Sequence, residues 1–266
     1  MKVYFSFFRL RFLALLQYRS AAIAGLCTQI LFGLVRVFIF IGFLSPNEAA
    51  VGVTVAQTVS YVWVGQAILG LLPWNLEPEL DRSVRSGLIA YELSRPLDIY
   101  NMWFARVLAH RSAPTLMRCV PLMLITTLLF PAPYNLVFPD GLRALASLAA
   151  LLGALLLSTS ISTLLNITVL WTVDSVGLVR FMPAVVQLFS GMIIPLTLFP
   201  DNLQKILHYQ PFMGLVDGPA QILSGSAALS TLPSLLALQV GWSAALILFG
   251  RWLLRRGMKR ITVAGG

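Results

Sequence analysis

The chain has 266 residues, of which 58% are hydrophobic and 11% charged, with a net charge of +9. Soluble domains carry about 25% charged residues, so this composition excludes an ordinary water-facing surface and, with it, nearly all classes of soluble enzyme. On a soluble protein the surplus of cations would suggest nucleic acid; on a chain this apolar it reflects the cationic bias of cytoplasmic loops, and no nucleic-acid partner is expected.

The elements follow in chain order. Residues 1–20 interleave Val3, Phe5, Phe7, Phe8, Leu10, Phe12 and Leu13 with Arg9, Arg11, Gln17 and Arg19. That pattern predicts an amphipathic helix lying in the lipid interface of the inner leaflet, the alternative being an early start to the first span. It is too long and too mixed for the n-region of a cleaved signal. Apolar runs of about 20 residues mark membrane-crossing helices, and six are predicted, at residues 21–44, 51–72, 112–130, 142–166, 176–199 and 232–254. The fold class is therefore an all-α, polytopic membrane protein, with residues 21–266 as one transmembrane domain. Cys27 and Cys119 lie in apolar runs and read as packing residues.

Sixteen of the 19 lysines and arginines fall on one side of these six spans. Only Arg143 and Lys205 lie on the other, and Arg36 lies inside the first span. Cationic loops stay inside, so both termini are expected in the cytoplasm of a multi-pass protein of the cell (inner) membrane.

The loop at 73–111 is the most informative polar segment. Its part from Pro73 to Asp98 holds half of the ten acidic residues, Glu77, Glu79, Asp81, Glu92 and Asp98, together with Arg82, Arg85 and Arg95. The pattern predicts a short mixed-charge helix with a break at Ser86-Gly87 and a stop at Pro96. Such a helix either docks to a partner or is a solvated loop.

The stretch Glu79-Leu-Asp-Arg-Ser-Val-Arg-Ser-Gly-Leu-Ile-Ala-Tyr-Glu-Leu-Ser-Arg-Pro-Leu resembles the first cytoplasmic loop of ABC-2-type permeases. A second block is similar to the one before the last helix of that family: Ser190-Gly-Met-Ile-Ile-Pro-Leu-Thr-Leu-Phe-Pro, then His208-Tyr-Gln-Pro-Phe, then Asp217-Gly-Pro. The nearest branch is that of six-span permeases with a separately encoded ATPase. The resemblance implies an exporter built on a homodimer or heterodimer of permease subunits. Each would dock on an ABC ATPase subunit that binds ATP and Mg. This chain has no Gly-x-x-x-x-Gly-Lys-Ser/Thr phosphate cradle, so no cofactor of its own is expected. Glu79, Arg82, Arg85, Gly87, Glu92, Arg95 and Pro96 would then form the ATPase-coupling contact, with Gly87 permitting a bend or close approach and Pro96 ending the helix.

Within the spans, Arg36 faces either an anionic group on the substrate or, by snorkelling, the membrane surface or Glu48. Thr54, Thr58, Tyr61 and Gly65 share a helical face, which either lines a pathway or packs helices together. The resemblance turns spans 1, 2 and 5 toward the dimer centre, so Arg36, Thr54, Thr58, Tyr61 and Gly191 are the candidate pathway residues. The hydroxyls of Ser158 to Thr168 read as close helix packing, and Asp174 is expected to pair with Arg180. Pro183, Gly191 and Pro195 predict a kinked or broken fifth span. Residues 200–231 are too apolar for a free loop and predict re-entrant or interfacial helices; the resemblance has them cap the outer end of the pathway. The competing functions are an ion-coupled transporter, which wants intramembrane carboxylates and inverted repeats, a scaffold subunit, and a membrane enzyme, for which no nucleophile–base or metal-ligand cluster is visible.

Overall fold

The computed structural model describes residues 2–45, 52–171 and 176–259. Among them the regular structure is helical: α1 (Lys2–Leu15), α2 (Arg19–Leu44), α3 (Val55–Ala67), α4 (Pro78–Arg85), α5 (Ile89–Leu93), α6 (Ile99–Leu128), α7 (Gly141–Thr168), α8 (Val176–Phe189), α9 (Asp201–Leu207), α10 (Asp217–Ser224) and α11 (Leu232–Met258). Glu48 and Asp174, the partners expected for Arg36 and Arg180, lie outside the described residues, as does the start of the second predicted span.

Three described helices are long and apolar enough to cross a membrane: α2, α7, and α11 with the turn before it. The other predicted spans differ from simple rods. The second contains a helix of only 13 residues, α3, followed by a tight turn at Leu69–Leu71. Thirteen residues reach about 20 Å, short of the ~30 Å of a hydrocarbon core. A short helix with a turn at that depth is permitted where protein surrounds it, and every residue from Thr58 to Ala67 is buried. The third predicted span starts earlier than expected. Asp98 caps α6 by accepting from the Asn101 N–H at 2.8 Å, so residues 99–111 are helix and not loop. Their polar composition hid them, because the side chains packed on them, among them Phe7, Leu80, Ile167 and Leu254, come from other parts of the chain. The fifth stops at Phe189.

A buried cation fixes the turn after α3. The Arg111 guanidinium donates to the carbonyls of Leu72 (2.8 Å) and Asn75 (2.7 Å) and to Ser162 Oγ (2.9 Å). Ser158 donates to the Leu71 carbonyl, and Asn166 Oδ1 accepts the Glu77 N–H at 3.0 Å. The hydroxyl-rich end of α7 thus does more than pack closely, since it satisfies backbone groups that the broken second span leaves free. Trp63 of α3 lies on Gly33 of α2 and donates from Nε1 to the Tyr134 carbonyl at 2.8 Å.

Replacing Arg111 by Met strands two carbonyls and a hydroxyl and is expected to cost about 3 kcal/mol. Arg111→Lys, without the planar fork, should lose less. Thermal unfolding of the purified chain checks this ranking; an unchanged Arg111→Met midpoint would contradict it.

Candidate functional site

The chain between α8 and α9 is irregular, with Ser190, Gly191, Met192, Pro195 and Leu196 buried. A helix that stops inside protein leaves its last carbonyls without partners. Here the chain runs on past the helix end, and the carbonyls of residues 189–192 find partners elsewhere in the protein. Phe189 O accepts from Gln210 Nε2 (2.8 Å), Ser190 O from the Asp217 N–H (3.0 Å), Gly191 O from the Tyr61 hydroxyl (2.8 Å) and Met192 O from Arg36 Nη1 (2.6 Å). On the far side of the break, Leu196 N–H donates to Asp217 Oδ1 at 3.0 Å.

Asp217 is fully buried. Its Oδ1 lies 2.7 Å from the Tyr61 hydroxyl, and its Oδ2 accepts from Gln221 Nε2 at 2.6 Å. The single tyrosine proton faces two acceptors, the carboxylate and the Gly191 carbonyl. Gly191 has φ +78°, and a Cβ there would meet Tyr61 Oη at 2.6 Å and Asp217 at 2.8 Å. The left-handed turn and the close approach both demand glycine.

Two spaces flank the break. A small cavity of about 50 Å³ is lined by Gln57, Thr58, Tyr61, Thr197, Gln221 and Ser226 among others, polar enough to hold water. A wider groove of about 760 Å³ runs along α2, walled by Phe32, Ile39, Phe43, Ile193 and Leu198, with Arg36 on its wall.

Beyond the turn after α3, the 78–98 segment forms a surface. Glu77 caps α4 by accepting from the Leu80 N–H at 2.7 Å and accepts Arg11 Nη2 at 2.7 Å; Arg11 Nη1 donates to Glu79. Burial works against the charge on Arg11, but the hydrogen bonds and charges of Glu79 and Glu77 outweigh it, and its pKa is raised. Helix α1 is therefore clasped to α4. Arg85 pairs with Asp81 at 2.9 Å. The turn between α4 and α5 uses Gly87 at φ +75° with open space around its Cβ position, so it serves a bend and not a close approach. Arg82, Arg85, Leu88, Tyr91 and Arg95 are exposed, Tyr91 at 72%. At the start of α6, Arg251 lies over the Tyr100 ring at 4.9 Å. Among the described residues no three His, Cys, Asp or Glu side chains are grouped to hold a metal.

A family model described as ABC-2 family transporter protein matches residues 30–265. The chain belongs to the ABC-2 transporter family. It is a multi-pass membrane protein and a permease component of an ABC transporter. No curated protein and no solved structure matches it.

In this ABC-2 protein the residues singled out in the sequence separate into groups. Tyr61, Gly191 and Arg36 converge on the break in the fifth predicted span, and Thr58 lines the small cavity beside it. Thr54 does not join them. It is the exposed N-cap of α3, in a reciprocal pair with Gln57. Arg36 donates to the Met192 carbonyl in the broken segment. In the loop, Glu92 points inward, accepting from Trp103 Nε1 (3.0 Å) and Arg106 Nη1 (2.7 Å). Its acidity in a mixed-charge loop looked like surface, but its partners are on α6. Pro96 follows the end of α5 and is exposed. Sequence reasoning missed Asp217 and Gln221, although a carboxylate in an apolar stretch is itself a signal, and it missed the exposed Leu88 and Tyr91.

Gly191→Ala is expected to cost about 2 kcal/mol or more through backbone strain and collision with the Tyr61–Asp217 pair. Gly87→Ala, strained but uncrowded, should cost about 1 kcal/mol. Equal midpoints for the two variants in thermal unfolding would contradict the crowding at Gly191.

Proposed function

We propose that this permease is half of the transmembrane pathway of an ATP-driven exporter, powered by a separate ATPase subunit that docks at α4–α5. In this reading the chain crosses the cell membrane six times, counting α3 with its turn, α6, and α8 with the broken segment as spans. Both termini are cytoplasmic, α1 lies on the inner leaflet, and a second permease subunit, the same or a paralogous chain, completes the pathway. The 201–231 helices cap the outer end.

The observation that carries the reading is the α4–α5 surface. Arg82, Arg85 and Arg95 flank exposed Leu88 and Tyr91, an aromatic and arginine combination typical of interface hot spots. The same helix is bonded to α1 through Arg11 and to α7 through Glu77 and Asn166. A push on this surface therefore passes into the bundle through hydrogen bonds and packed helices, as rigid-body switching requires. The positive-inside rule places it in the cytoplasm, where ATP is found.

A second reading, an ion-coupled transporter, gains one observation: Asp217 is a buried carboxylate of the kind such proteins use. Transport by the chain alone in proteoliposomes under an ion gradient, without an ATPase, would favour it.

Co-purification with the ATPase subunit tests the main reading. Arg85→Glu combined with Tyr91→Ala is expected to weaken binding about tenfold or more, the loss of one hot spot, with the permease still folded. Undiminished binding by that double variant would contradict the docking surface. Glu92→Gln should instead lower thermal stability by about 1–2 kcal/mol, because it weakens a buried charge-assisted pair.

A further inference from the structure

The groove along α2 holds a charge that its hydrogen-bond partner does not neutralise. Arg36 is half-buried on its wall and donates from Nη1 to Met192 O at 2.6 Å. Among the described residues it forms no ion pair. An arginine has five N–H donors, and the acceptor it meets, the Met192 carbonyl three residues past the end of α8, carries no net charge. A net positive charge remains, in a groove whose other walls are Phe32, Ile39, Phe43, Ile193 and Leu198 among others.

Depth decides between a lipid headgroup and something that enters the membrane. Arg36 lies eight residues before Leu44, the last residue of α2, about 12 Å along the helix. Its acceptor is deep as well. The Met192 sulfur lies 3.5 Å from the Cβ position of Gly65, which is roughly 16 Å along α3 from the Thr54 cap. The guanidinium is thus held inward, away from the level at which phospholipid headgroups sit. Irregular backbone inside a membrane protein is tolerated where it lines a cavity, and broken helices mark transport sites; the floor of this groove is the broken segment itself.

We propose that the groove is a cargo site and that its cargo is a lipophilic anion, an apolar chain or ring system carrying a carboxylate, sulfonate or phosphate head that pairs with Arg36. This rests on the permease reading above. It also sharpens that reading. If two copies meet through α2 about a two-fold axis, each brings the same residue to the shared face. Two Arg36 side chains then line one space, and an anion between them removes a repulsion that an empty or cation-filled pathway would keep. The apolar walls bind the tail by contact, and the charge selects the head.

The test uses the full chain in nanodiscs of phosphatidylcholine and a long-chain fatty acid carrying a mid-chain diazirine, compared with its methyl ester. Photolabelling is read by peptide mass spectrometry. The acid is expected to label residues 32–43 and 193–198 at least about tenfold more than the ester. Arg36→Gln should reduce acid labelling to the ester's level, and Arg36→Lys should keep the preference. Ile39→Glu, which puts a carboxylate one turn from an intact Arg36, should remove the preference as well. It thus separates loss of the positive charge from loss of the Met192 hydrogen bond. Equal labelling by acid and ester, or an acid preference that survives Arg36→Gln, would overturn the proposal. So would displacement of the label when phosphatidylglycerol replaces phosphatidylcholine, because that would give the groove to the bilayer's own lipid. ATPase binding at α4–α5 is read separately. No acid preference in the unaltered chain while that binding persists overturns the cargo assignment and leaves the permease reading standing.

Discussion

Every backbone carbonyl and N–H inside a bilayer must find a partner within the protein. That constraint is met trivially by α2, α7 and α11, which are continuous. It is met by design where the chain is not continuous. The carbonyls of residues 189–192 are taken up by Gln210, Asp217, Tyr61 and Arg36, which come from four separate parts of the sequence. The carbonyls that follow α3 are taken up by Ser158 and Arg111. The bundle is assembled around these two interruptions, and the buried Arg111, Ser158, Ser162, Asn166 and Asp217 serve one or the other.

The two interruptions meet α3 at Tyr61, its central residue, and at the turn after its last residue, Ala67. Tyr61 on α3 reaches the break after α8, and the turn that closes α3 leads directly into α4. A displacement of α4 is therefore a displacement of the chain that carries Tyr61. This gives a physical route between the exposed α4–α5 surface and the groove, made of one short helix and its hydrogen bonds. Arg11 adds α1 to the same linkage through Glu77 and Glu79.

How much of this was legible in the sequence depends on whether a segment's neighbours matter. The runs at 142–166 and 232–254 correspond to helices Gly141–Thr168 and Leu232–Met258, because twenty apolar residues declare a helix in lipid whatever surrounds them. The second run was equally apolar, yet its helix is only Val55–Ala67; hydropathy averages over a turn that Arg111 makes affordable from a distance. The polar start of α6 read as loop because the side chains packed on it, among them Phe7, Leu80, Ile89, Ile167 and Leu254, come from other parts of the chain. Glu92 and Arg85 were indistinguishable as charges in one loop, and only the positions of Trp103 and Arg106 separate the buried from the exposed. Tyr61, Gly191 and Arg36 were each visible as anomalies, a polar ring, a flexible residue and a cation in apolar runs. Their convergence was not, since it depends on Asp217, a residue 156 positions from Tyr61.

The proposed docking of an ATPase at α4–α5 implies that the bonds holding the broken segment between α8 and α9 loosen when the ATPase works. Hydrogen–deuterium exchange of residues 190–198 in the assembled transporter addresses it directly. The account predicts slow exchange without nucleotide, with the Leu196 amide protected by Asp217, and faster exchange when ATP is bound and hydrolysed. Rapid exchange at rest, or slow exchange that ATP leaves unchanged, would contradict it.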